Sequence, residues 1–261
     1  MEQVKVIKHQ KRMQLILFIV MMGFIFIWSV KGTGFNIPLL FTGLSETFRF
    51  VVFDLLPPDV SRFTSLIQPA LDTIYMSFVA MILSAMLAFF LSFLAAYNVT
   101  PHPLLQYAVR GLASFLQSIP ALVWVLVFVA AYGLGSIAGT IALVLSGTGL
   151  LTRSFAEMLE EIDMGPVEAI RSTGGNWVQV MGQAVVPQVL PGMIGWSLYK
   201  FDLNIREAAV IGMVGGGGIG FAMQKSLKLF QYKEACMAIV IIFVLIMCIE
   251  YFTNKVRMRL L

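Results

Sequence analysis

The chain has 261 residues and a formal net charge of +4; 59% of its residues are hydrophobic and 12% are charged, against roughly a quarter charged in soluble domains. That composition excludes an ordinary soluble domain and points to a chain that spans a membrane. The basic balance is accounted for by charge flanking the spans, so no nucleic-acid partner is expected.

The first apolar run covers residues 13–30, directly after Lys5, Lys8, Lys11 and Arg12. A basic start before an apolar run is also the pattern of a secretory signal. The run is long for a signal core, however, and no small-x-small site follows Trp28-Ser29-Val30-Lys31, so an uncleaved first span is expected. Residues 31–66 carry no readable assignment, and the next span is expected near 73–97. No charged residue occurs between Gly111 and Thr152; one helix of that length would reach about 60 Å against a hydrocarbon core of roughly 30 Å. The stretch therefore reads as two spans, 111–131 and 136–151, broken at Tyr132-Gly133-Leu134-Gly135.

A polar loop, residues 157–187, follows between apolar segments. Asp163-Met164-Gly165-Pro166 is a breaker cluster, and Pro166 suits the first turn of a short helix through Glu168 to Ser172. Asn176 is placed to cap a second helix, with Gln179 at its third position, leading to Pro187. A helix-turn-helix lying across the inner face of the membrane is the expected result, with Gly174 at the sharp bend. Glu157, Glu160, Glu161, Asp163 and Glu168 face only Arg153 and Arg171 within the loop. They read either as a solvated face or as a complement to basic residues on a partner.

The span expected near 188–208 contains Lys200, Asp202, Asn204, Arg206 and Glu207. Charge at the centre of a span costs about 2.5–3.5 kcal/mol per residue on insertion scales, so such residues usually face a bundle interior or an aqueous cavity. Lys200 would stand about 20 Å above Pro187, and Asp202 and Arg206, one helical turn apart, share a face and can pair. Two readings stay open: these residues line a route for an anion, or the helix ends near Tyr199 and they form an ordinary outer turn. Beyond them, Gly215-Gly216-Gly217-Gly218-Ile219-Gly220 satisfies a dinucleotide-binding pattern in letters only, since no strand or βαβ unit surrounds it. A tight turn or a close backbone approach is the expected use of those glycines.

The last span, near 235–252, holds both cysteines, Cys236 and Cys248, about 18 Å apart along a helix and unable to pair within it. Lys255, Arg257 and Arg259 follow it. Six spans put both termini on one side, and the basic flanks at both ends place that side in the cytoplasm, together with the 157–187 loop. His9 and His102 are the only histidines, so neither a Ser/His/Asp set nor a metal site can be assembled, and no catalytic residue, metal or cofactor is expected. No Gly-x4-Gly-Lys-Ser/Thr loop occurs, so an ATP site of that kind would belong to another polypeptide.

Val167-Glu168-Ala169-Ile170-Arg171-Ser172-Thr173-Gly174, with Pro187 thirteen positions after the glycine, resembles the EAA motif of bacterial ABC importer permeases. That motif reads Glu-Ala-Ala, three residues, Gly, nine residues, then Ile-x-Leu-Pro. Glu168-Ala169-Ile170 keeps two of the first three letters, and Ala184-Val185-Val186-Pro187 keeps the proline with smaller anchors. The resemblance implies an all-α polytopic helical bundle, a single permease domain over residues 1–261, in the type I importer fold. It also implies that Glu168, Ala169, Gly174 and Pro187 belong to the element that docks a separate ATPase. The implied partners are a pair of ATPase subunits, a second copy of the permease and an extracellular or periplasmic substrate-binding protein, assembled in the lipid of the bacterial inner membrane.

Around that motif, Arg110 followed by Pro120-Ala121-Leu122-Val123-Trp124, then Gly133-Leu134-Gly135, Ser197-Leu198-Tyr199-Lys200-Phe201 and Val210-Ile211-Gly212-Met213-Val214-Gly215 look like the phosphonate-type permeases, from about Thr73 onward. Lys200 and Arg206 stand where these relatives carry basic residues. The resemblance implies phosphonate, phosphite or hypophosphite as substrate; a permease for another small solute such as methionine is the alternative within the class. A self-sufficient channel is disfavoured by the coupling-loop spacing, and an intramembrane enzyme by the missing acid-base and metal sets.

Overall fold

The computed structural model describes residues 2–260, with the side chains of residues 2–10, Ile37, Leu39 and Leu260 left aside. The basic flank at Lys5 and Lys8 thus lies outside the described side chains. The chain divides into two compact units, one up to Asp54 and one from Leu55 onward.

The first unit holds α1 (Glu2–Gly32) and α2 (Ile37–Arg49). From Met13 to Trp28, α1 presents large apolar side chains all round, the composition of a helix whose solvent is lipid. Pro38 lies in the first turn of α2, where a missing N–H breaks no helical bond. The 31–66 stretch is therefore partly helical, which its sequence had not disclosed.

The second unit is a helical bundle of α3 (Phe63–Ala95), α4 (Pro103–Ser118), α5 (Ala121–Tyr132), α6 (Ser136–Glu160), α7 (Met164–Ser172), α8 (Trp177–Val180), α9 (Val186–Ile211), α10 (Gly218–Lys228) and α11 (Tyr232–Leu260). Helices α3 and α6 are its central pair. Ala80, Ser84 and Ala88 on α3 are fully buried, as is Gly147 on α6. Small residues of this kind let helices in lipid approach closely. A Cβ at Gly147 would lie 2.8 Å from Ser84 Oγ. At Gly149 the same argument applies to α4: a Cβ there would lie 2.7 Å from the Ala113 carbonyl oxygen and 2.8 Å from the Gln117 nitrogen.

Among the described residues, four helices are long and apolar enough to cross a membrane, or up to six if each of two bent pairs is one span. The first bent pair corrects the straight span expected at 111–131: α4 and α5 meet at 86°. The cause is Pro120. Ile119 before it is extended (φ −90°, ψ 117°), as a residue preceding proline tends to be, and Pro120 opens α5 as its N-cap. Counting charges alone gave no sight of that break. The break expected at 132–135 is present, with Gly133 at φ 83° between α5 and α6.

The second correction concerns Pro187. Rather than closing a separate surface helix, it sits inside one continuous helix running Trp177–Gly216. A widened π turn, Met181–Val185, stands directly before it. Proline offers no N–H to the carbonyl four residues back, and a π turn absorbs that loss without ending the helix. At the far end the glycine run turns the chain by 53° into α10, with Gly215 and Gly217 at positive φ. One of the free N–H groups in the first turn of the new helix is met from α3: Ile219 N–H donates to Thr73 Oγ1 at 2.8 Å.

Candidate functional site

The 157–187 loop is built from matched local signals. Asp163 caps α7, its Oδ1 accepting from Gly165 N–H at 2.9 Å. Its backbone is tied to α9, since Asp163 N–H donates to Gln188 Oε1 at 3.0 Å and Gln188 Nε2 donates to the Asp163 carbonyl at 3.2 Å. Val167, only 2% exposed, joins the cluster of Phe155, Leu159, Val180, Val185 and Val189 and anchors α7 to the bundle. Glu168 and Ala169, on the other face, are exposed.

At the end of α7, Gly174 N–H donates to the Arg171 carbonyl and Gly175 N–H to the Ile170 carbonyl, both at 3.0 Å. That paired closure, with Gly174 at φ 82°, is a Schellman cap, and a residue with a Cβ is strained in that conformation. The space around Gly174 is open, so the demand for glycine comes from backbone conformation and not from crowding. Asn176 then forms a full capping box, its Oδ1 accepting from Gln179 N–H at 2.9 Å while Gln179 Oε1 accepts from Asn176 N–H at 2.8 Å. Directly after it, Trp177 (60% exposed) and Val178 (69%) stand on the surface.

The acidic tract does not act as one face. Glu160 turns inward, pairs with Arg110 of α4 and accepts from Tyr97 N–H. Glu157 pairs with Arg153 at 3.0 Å, while Glu161, Asp163 and Glu168 are exposed. Arg110 stands far from the loop in sequence, which is why the pairing was not legible there.

Helix α9 does not end near Tyr199; it runs unbroken through Lys200 to Ile211, so the charged residues are not an outer turn. Lys200 is 1% exposed, and its Nζ is 3.0 Å from Oε2 of Glu207, whose side chain is 33% exposed. The lysine stem passes α6 at Gly147, where a Cβ would lie 3.2 Å from Lys200 Cε. Lys200 stands in the wall of a cavity of about 470 Å³ together with Arg206, Glu207, Gln117, Pro120 and Ser146.

Asp202 is buried and lies outside that cavity lining; it holds Arg206 at 3.0 Å, and Arg206 also reaches Glu250 of α11 at 3.0 Å. Asn204 donates to the Ser77 carbonyl of α3 at 3.1 Å. Thus Lys200 and Arg206 share one cavity, and Asp202 positions the second of them. Glu207 was named with the span's charged residues but not as the partner of Lys200, and Glu250 was missed. That pairing was readable in principle, since Glu207 stands seven positions, two helical turns, beyond Lys200 on the same face. Glu250 sits on another helix and left no such signal.

Residues 88–256 match the family described as binding-protein-dependent transport system inner membrane component. The chain belongs to that family. It is a multi-pass permease subunit of an ABC importer in the bacterial inner membrane, with ATP hydrolysis in a separate partner and a binding protein delivering solute. Among curated relatives, the phosphite transport system permease protein PtxC of Stutzerimonas stutzeri is 37% identical over 204 residues, covering 78% of this chain and 74% of that protein. The phosphate-import permease protein PhnE of Mycolicibacterium smegmatis is 38% identical over 215 residues, covering 78% of this chain and 40% of that protein. A solved structure of the MetNI methionine ABC transporter superposes with a TM-score of 0.68 at 18% identity, covering 78% of this permease and 99% of the compared chain. That likeness gives the fold.

Proposed function

We propose that this permease carries a small phosphorus oxyanion, phosphite or a phosphonate, along the groove beside Lys200 and Arg206. The observation that carries the reading is Lys200: a lysine 1% exposed, paired among the described residues with Glu207 alone, in the wall of a cavity that Arg206 also lines. In a water-poor passage Coulomb interactions grow severalfold over their value in bulk solvent, so a fixed cation there lowers the barrier to an anion. Glu207 serves as the resident counter-ion while the passage is empty. The relatives named for phosphite and phosphate transport support the same class of solute.

The permease works as a pair of copies, with both termini and the Gly174 loop in the cytoplasm. Glu168, Ala169 and Gly174, with Trp177 and Val178 beside them, form the surface that meets the ATPase. Pro187 sets the continuous helix through which movement of that surface reaches Lys200. The test is Lys200→Gln in reconstituted vesicles with ATPase and binding protein, read as uptake per assembled complex. Uptake should fall about tenfold or more, one factor of ten for each 1.4 kcal/mol added to the barrier. Uptake at the wild-type rate removes Lys200 from the route.

A further inference from the structure

We infer that the loop end of the α4–α6 groove holds a second site, for a small tetrahedral phosphorus oxyanion, built from Arg110, Ser114, Thr152 and Arg153. A cavity of about 280 Å³ opens there, lined by these four residues and by Glu157. At about 30 Å³ per water, it has room for an oxyanion with part of its hydration.

Thr152 marks the cavity as unfinished. It is 1% exposed, and its Oγ1 has no hydrogen-bond partner among the described residues. The neighbouring threonines of the same helix return their hydroxyls to their own backbone, Thr140 to the Ser136 carbonyl and Thr148 to the Val144 carbonyl, each at 2.7 Å. Thr152 makes no such bond although the carbonyl of Thr148 stands four residues back. A buried hydroxyl left unpaired is costly and calls for a partner. The hydroxyl is closed off from solvent at rest, and a turn of the Thr152 side chain toward the cavity would give it an oxyanion as partner.

The two arginines supply the charge. Arg110 donates from Nε to the Ala95 carbonyl at 2.8 Å and from Nη2 to Glu160, which fixes the guanidinium plane at the cavity wall and leaves Nη1 outside both bonds. Arg153 is exposed and, among the described residues, pairs only with Glu157 one turn along. Exposed pairs of this kind contribute little, so an oxyanion can replace the carboxylate and release Glu157 to water.

Position gives the site its meaning. On α4, Gln117 lines the Lys200 cavity and Ser114 and Arg110 the second one; on α6, Ser146 lines the first and Arg153 the second. Arg110, Ser114 and Gln117 step by four and three along α4, and Ser146, Leu150 and Arg153 by four and three along α6, so the two cavities follow one another along a single groove. The second lies where α6 runs into the 161–176 loop. The site does not depend on Lys200 lining a route.

The test uses the assembled complex with its ATPase, Cys236 and Cys248 replaced by alanine, and Ser114→Cys as an exposed reporter labelled with a neutral methanethiosulfonate. Phosphite or inorganic phosphate at about ten times its half-protecting concentration should slow labelling about tenfold, as mass action requires. Chloride at matched ionic strength should not. Arg153→Gln should abolish protection, Glu157→Gln should lower the concentration needed, and Lys200→Gln should leave protection intact, which separates this site from the one upstream. Protection by phosphite alone assigns the site to the transported anion; equal protection by inorganic phosphate assigns it to the cytoplasmic phosphate pool. Labelling that no phosphorus oxyanion slows, or that chloride slows equally, overturns the inference.

Discussion

Removing Glu207 should damage this permease more than removing Lys200, although the two form one ion pair. Breaking a buried pair strands the surviving charge, at about 3–5 kcal/mol when that charge has no access to water. The partners differ in access: the Lys200 side chain is 1% exposed and the Glu207 side chain 33%. Glu207→Gln strands an ammonium with no water to turn to, so the lower part of that range, about 3 kcal/mol, applies. Lys200→Gln strands a carboxylate that can hydrate, and about 1 kcal/mol is expected, nearer the value of exposed pairs. Domains of this size shift by about 2–4 °C per kcal/mol, giving losses of about 6–12 °C for Glu207→Gln and about 2–4 °C for Lys200→Gln. Lys200→Met with Glu207→Gln keeps the stem packed beside Gly147 and removes both charges, so its midpoint should lie well above that of Glu207→Gln alone. The assay is thermal unfolding of the purified complex in one detergent, read as a double-mutant cycle with Lys200→Met alone and Glu207→Gln alone as its single variants. Effects that simply add, or a Glu207→Gln variant milder than Lys200→Gln, would refute the buried-pair account.

Two further outcomes follow from the loop. Because Gly174 sits at φ 82° in open space, Gly174→Asn should be nearly neutral, Gly174→Ala should cost about 1 kcal/mol and Gly174→Val more, measured as ATPase retained on purification; equal retention in all three would show that the bend does not matter. Single cysteines at Gly174 and at Ser61, in a background without Cys236 and Cys248, should label from opposite sides of intact cells, and labelling of Gly174 from outside would reverse the orientation.

Much of the local architecture was legible in the sequence because local physics wrote it. Asn176 and Gln179 announce their capping box by spacing, Gly174 announces the bend, and Asp202 and Arg206 announce their pair. Charge-free residues 111–152 announced two spans, but the bend within the first came from Pro120, a signal that counting charge passes over. Pro187 misled in the opposite direction, since a π turn carries the helix through it. What stayed hidden were the meetings of distant segments: Glu160 with Arg110, Arg206 with Glu250, and Lys200 sliding past Gly147. Such contacts depend on how α3, α4, α6, α9 and α11 pack, which no short window contains.

The central claim, an ATP-driven importer of a phosphorus oxyanion, is tested most directly by solute accumulation in vesicles holding the permease and its ATPase, supplied with binding protein. Radiolabelled phosphite or methylphosphonate should accumulate against its gradient only when ATP is hydrolysed, and methionine should not. Equilibration of solute without ATP, or ATP-driven accumulation of methionine with no uptake of any phosphorus oxyanion, would contradict it.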